Sequence, residues 1–172
     1  MDNNYIFQYW EAIQNGTVTV GKWIKTIYEI LVNGLKSGKW DFDEEKANKA
    51  INFIENFCHH SEGRNDLLKL ELWQKAIVSA IFGIMDKRTG YRQFREVFIV
   101  VARKNGKTLF AAAIAAYMAY IDGEYGAKVY FLAPKLDQAD LVYDAFYQIV
   151  QADDELDSIT KKPVSYTHLT LP

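Results

Sequence analysis

The sequence predicts an α/β fold: a parallel sheet with flanking helices, preceded by an α-helical amino-terminal region. Three observations predict it. Val97–Ala102 and Lys128–Ala133 are short runs dominated by β-branched, aromatic and other apolar residues. Such runs mark strands buried on both faces, as in a parallel sheet. Leu109–Ile121, between them, is alanine-rich and apolar all round, the pattern of a buried helix. After the second run, Leu141, Val142, Ala145, Phe146, Ile149 and Val150 recur at helical spacing. Strand, helix, strand, helix of these lengths is a βαβ unit, and its crossover is expected to be right-handed.

Upstream, only the helical period is visible. Trp23, Ile24, Ile27, Ile30, Leu31 and Leu35 form one stripe over residues 20–35, which Gly34 and Gly38 are expected to break. Asp43 suits the cap of a second helix with its stripe at Ala47, Ala50, Ile51, Ile54 and Phe57. Leu72, Trp73, Ala76, Ile77, Ala80, Ile81 and Ile84 make a third. Pro134 ends the second apolar run, and Asp137 is placed to cap the last helix. Residues 1–65 therefore read as a helical region and 66–163 as the first part of an α/β domain. Residues 164–172 (VSYTHLTLP) break the pattern and read as a non-native tail on a fragment.

The chain has 172 residues, 49% of them hydrophobic and 24% charged, an ordinary globular mix that excludes disorder as the default. Its net charge of −2 advertises no polyanion partner. The single cysteine, Cys58, excludes an internal disulfide and a multi-cysteine zinc site. Cys58, His59 and His60 are adjacent, but neighbours on a helix point about 100° apart and rarely share one ion. The longest apolar run, Leu109–Ile121, has 13 residues, against the ~20 of a membrane span. No basic stretch leads into an apolar one at the start, so no signal peptide is expected. Charge is nonetheless uneven: seven basic residues and only Glu96 on the acidic side lie between Lys87 and Lys107. That stretch suits an anion, although taken alone it reads as a solvated loop and strand edge.

The chemistry concentrates at Arg103-Lys104-Asn105-Gly106-Lys107-Thr108. A Gly-Lys-Thr triplet alone is common. Here it separates a predicted strand from a predicted helix, the setting of a phosphate-binding loop. Gly106 lets backbone approach an oxygen, and the N–H groups of about residues 104–108 converge at a helix N-terminus, where dipole and unpaired donors favour an anion. The Lys107 ammonium can reach β- and γ-phosphates, and the Thr108 hydroxyl can ligate Mg²⁺. The usual pattern has Gly five residues before Gly106; this chain has Val101, so the loop differs at its entry. The fold class sharpens to an incomplete P-loop NTPase. Gln74, some 30 residues upstream, carries an amide that can donate and accept at once, matching the N6/N7 edge of adenine; alone it would read as an ordinary helix glutamine. Either Arg103 or Lys104 can steady charge on a γ-phosphoryl group; two solvated charges is an equal reading.

Taken together these residues resemble the ATPase half of tailed-phage terminase large subunits. The pieces that carry the resemblance are WDFDEEKANKAINFIENFCHH (40–60) before SEG (61–63), LELWQ (70–74), AIFG (80–83), FREVFIVVARKNGKT (94–108) and KVYFLAPKLDQA (128–139). Their joint order is specific, and they span about residues 5–160. The family's loop often reads Arg-Lys-Asn before Gly-Lys, so Val101 is no departure from it. The resemblance implies a motor that hydrolyses ATP with Mg²⁺ to package double-stranded DNA. It implies as partners a portal protein, a small terminase subunit and further copies in a ring, in the host cytoplasm and transiently on the procapsid. It implies Gln74 as adenine contact, Lys107 and Arg103 as catalytic residues, Arg103 through Thr108 as the ATP-binding loop, and Thr108 as metal ligand. It implies, too, that Ala133 to Ala139, after the second apolar run, transmits nucleotide state.

Two family features are missing from the sequence: an apolar strand ending in Asp-Glu, to hold Mg²⁺ and activate water, and a carboxy-terminal nuclease. Asp153-Asp154-Glu155 follows a helix and does not qualify. The chain alone is therefore expected not to turn ATP over. The rival readings are another P-loop enzyme, such as a helicase-like ATPase or a small kinase, and a non-catalytic helical adaptor.

Overall fold

In the computed structural model, residues 4–60 and 66–160 are described. Asn4 accepts the N–H of Ile6 on its side chain (3.0 Å), which caps α1 (Tyr5–Gln14). Helix α2 (Lys22–Lys36) follows and meets α1 through Tyr9 and Tyr28, whose rings sit edge to face at 4.7 Å. Gly34 does not break α2 but lies inside it: a Cβ there would run into the Trp40 ring. The stop comes at Gly38, with φ 69°, where the Gly38 and Lys39 amides donate back to Leu35 and Gly34 carbonyls. Only Tyr28, Leu31, Val32 and Gly34 of α2 are buried. The predicted stripe is mostly open, with Trp23 75% and Ile30 54% exposed.

Strand β1 (Asp41–Phe42) leads into α3 (Glu44–Phe57), and Asp43 caps it as expected, its carboxylate accepting from the Lys46 N–H at 2.9 Å. Helix α4 (Leu72–Gly83) runs into β2 (Ile84–Met85), which pairs antiparallel with β1 in the register Asp41–Met85 and Phe42–Ile84. Helices α5 (Lys107–Tyr120), α6 (Leu136–Ala152) and the short α7 (Asp154–Ile159) complete the described residues. Asp137 does not cap α6. Lys135 occupies that position without a side-chain bond, and Asp137 lies in the first turn, where its charge still favours the helix dipole. Asp153 caps α7 through the Glu155 and Leu156 amides.

Two apolar clusters meet on α4. One gathers α3, α5 and α6 around Val78 and Phe82; the other gathers α1 and α2 around Ala76 and Ile84. Where α5 crosses this core, Tyr117 stands edge-on to Phe82 at 4.8 Å, and burial pushes its phenol up to about 12.

The expected parallel sheet does not form among the described residues, whose sheet is β1–β2 alone. Residues 96–102 and 127–133 carry no regular secondary structure, and among the described residues no backbone–backbone hydrogen bond falls on them. Apolar composition favours a strand but cannot supply a ladder; each strand needs a neighbour to satisfy its N–H and C=O groups. Nor are both faces buried. Phe98 and Val100 are 93% and 80% exposed, whereas Val97 and Ile99 between them are about half as open. Likewise Tyr130 and Leu132 face out, and Phe131 turns in to meet the Phe146 ring of α6 at 6.0 Å. The period-2 alternation of a one-sided strand is present without its partner.

Candidate functional site

The loop after residue 102 turns through two left-handed residues. Gly106 has φ 65°, natural for glycine; Lys104 has φ 67°, the only positive φ on a non-glycine among the described residues. Asn105 braces the turn, its Nδ2 donating to the carbonyls of Ala102 (3.3 Å) and Arg103 (3.2 Å). Gly106 is then the N-cap of α5, and no side chain caps that end. The first intrahelical bond runs from the Phe110 N–H to the Gly106 carbonyl (2.9 Å), so the amides of residues 107–109 have no helical acceptor. Residues 102–107 are exposed and Thr108 is partly so. A helix N-terminus with open amides, a lysine at its first position and a threonine at its second is a donor set suited to phosphate and its metal ion.

Helix α4 brings the second half. Its first turn carries a capping box: the Glu71 side chain accepts from the Gln74 N–H, and the Glu71 N–H donates to Gln74 Oε1 at 2.9 Å. Gln74 is only 7% exposed. The first turns of α4 and α5 are held side by side by Trp73 and Phe110, with ring centroids 5.9 Å apart. Between them opens a cleft of about 480 Å³ lined by His60, Asp66, Glu71, Gln74, Gly106 and Phe110 among others. Thus Gln74 and Gly106, 32 positions apart along the chain, border one space. Arg103, Lys104, Lys107 and Thr108 line a second, larger cavity of about 1120 Å³, shared with Val97, Ile99, Val101 and Gln138.

Two further ties fix this arrangement. Glu55 of α3 accepts from the Leu70 N–H (2.9 Å) and from Lys75 Nζ (3.1 Å), anchoring the approach to α4. Arg92 pairs with Asp122 at 2.9 Å, just past the far end of α5, and lies over the Phe82 ring. Sequence reasoning missed Glu71, Trp73 and Arg92 in these roles. The Glu-x-x-Gln spacing of a capping box was the one readable signal. Cys58 is fully buried, and burial, with Asp153 nearby, pushes its thiol up to about 12.

The model of the terminase large subunit ATPase domain matches residues 72–166, more than half of the chain. The chain belongs to this family. It is also similar to the large terminase of bacteriophage HK97, seen in a crystal structure, with 26% identity and a TM-score of 0.59 over 70% of this chain. It spans 24% of that protein's length. No curated protein matches. As part of a terminase ATPase domain the chain is of a nucleotide-binding kind, and its folded core is mixed α/β and rich in helix. None of its described helices is long and apolar enough to cross a membrane.

The terminase loop yields one prediction directly. Asn105→Asp removes both donors that brace the turn and sets a negative charge beside two carbonyl oxygens. Nucleotide affinity is expected to fall about tenfold, from repulsion worth roughly 1 kcal/mol and the lost bonds. The melting temperature is expected to move by less than about 2 °C, because the residue is exposed. Titration of Asn105→Asp and the unaltered chain with ATP in Mg²⁺ checks it.

Proposed function

We propose that this chain is the ATP·Mg²⁺-binding part of a terminase large subunit, the motor that packages double-stranded DNA. Residues 66–163 are the first part of its ATPase domain. The observation that carries the reading is the convergence of Gln74 and Gly106 on one cleft between the first turns of α4 and α5. In this reading the Gln74 amide meets the adenine edge. The open amides at the start of α5 and the Lys107 ammonium hold phosphate oxygens, and Asn105 keeps the loop in shape. Thr108 offers its hydroxyl to Mg²⁺, which neutralises phosphate charge when bound. Arg103 and Lys104 line the larger cavity and add positive charge there; in this reading Arg103 steadies a γ-phosphoryl group.

Double-stranded DNA, a portal protein, a small terminase subunit and further copies in a ring are the partners this role requires, in the host cytoplasm. For DNA, the basic stretch narrows. Arg92 is committed to Asp122, and Lys87 lies 3.3 Å from Asp41, leaving the exposed Arg88 and Arg95 as the better contacts.

Titrating a fluorescent ATP analogue into the chain with Mg²⁺ tests the reading. Saturable binding that unlabelled ATP displaces is expected, without turnover above background, because no long apolar run in the sequence ends in Asp-Glu. Signal that ATP fails to displace would remove the nucleotide role. Turnover that Lys107→Ala abolishes would overturn the expectation of an inactive chain.

A further inference from the structure

The Gln74 side chain is more than nine-tenths buried and borders the cleft. Its Oε1 is taken by the Glu71 N–H at 2.9 Å, and among the described residues nothing accepts from its Nε2. A backbone N–H can only donate. The amide is therefore held one way round, with Oε1 on the Glu71 N–H and Nε2 left for another acceptor, and it cannot reverse without leaving the Glu71 donor unpaired beside a buried group.

We propose that the Glu71 N–H is a positioning group for base selection: by fixing the polarity of the Gln74 amide, it lets the cleft match adenine and refuse guanine. The inference rests on the reading of this cleft as the base site. Adenine offers a donor (N6) beside an acceptor (N7 or N1), which one amide satisfies in a single orientation. Guanine offers two acceptors along its O6/N7 edge. Along its O6/N1 edge the donor and acceptor are exchanged, so guanine pairs twice only with a reversed amide. The lock blocks that reversal.

Glu71 has φ −66°, close to the value proline imposes, and its N–H makes no other bond than that to Gln74. Glu71→Pro thus deletes the lock, while Glu71→Ala keeps the N–H and removes the side chain. Competition of ATP and GTP against a fluorescent ATP analogue, with Mg²⁺, reads the ratio of their affinities. The ratio is expected to fall about fivefold in Glu71→Pro, the worth of one such hydrogen bond, and less in Glu71→Ala. Equal falls in the two variants would assign the effect to helix capping and overturn the proposal.

Gln74→Glu provides a readout independent of how well the proline variant folds. It keeps an oxygen for the Glu71 N–H but puts a second oxygen where Nε2 stands, and is expected to abolish the preference for ATP. An unchanged preference would overturn the inference. If the unaltered chain binds ATP and GTP equally, the lock fails and the phosphate site stands. If it binds neither, the site reading falls, and the lock with it.

Discussion

Lys107→Ala is expected to abolish the rise in melting temperature that ATP·Mg²⁺ gives the unaltered chain. At a hundred times its dissociation constant a ligand stabilises by about 2.7 kcal/mol. For a chain of this size that is a shift of roughly 5–11 °C. Lys107 is exposed at the first position of α5, beside amides with no helical acceptor. Its ammonium is carried by the helix itself, whereas Arg103 and Lys104 belong to the loop before it. Removing it leaves dipole and amides, which without a counter-charge hold a polyphosphate poorly. The ligand-free melting temperature should be preserved, since alanine is the better helix former and no core contact is lost. Differential scanning fluorimetry of both proteins, with and without nucleotide, makes the comparison. A full shift in the variant would place the anion elsewhere.

Phe82→Ala is the second large effect, expected at about 3–5 kcal/mol of lost stability. Phe82 is 1% exposed, meets the Tyr117 ring edge-on at 4.8 Å and lies under the Arg92 guanidinium at 5.3 Å. It is where α4, α5 and the Arg92–Asp122 pair are joined, so truncation opens a cavity and loosens a charge that had an aromatic face to rest on. A domain with only 5–15 kcal/mol in hand would be unfolded in appreciable part. Urea denaturation checks it, with Met118→Ala as the contrast: Met118 is on the same helix as Tyr117 but 37% exposed, and should cost under about 1 kcal/mol. Similar losses from both would mean that Phe82 is not the joint described.

Helices were legible where the signal is local. Asp43 and the stripe from Ala47 to Phe57 belong to one short stretch of chain, and α3 matches them; α4 and α5 follow for the same reason. The open turn before Lys107 was legible too, because glycine chemistry and the onset of the apolar helix adjoin. Strands depend on something no window of sequence contains, a neighbour to bond with, so Val97–Ala102 and Lys128–Ala133 form no ladder among the described residues. Gly34 was misread because a glycine signals either a stop or a close approach. Only the distant Trp40 ring decides between them. Gln74 stood out in the sequence only as a helix amide, while its partnership with Glu71 hid in an ordinary capping pattern.

The open faces of residues 98, 100, 130 and 132 have a consequence at the bench. A phenylalanine, a valine, a tyrosine and a leucine stand on backbone with bonding capacity to spare, which is what a growing fibril or inclusion body recruits. Self-association of the purified chain through these two segments is expected, and charged substitutions at Phe98 and Leu132 should reduce it.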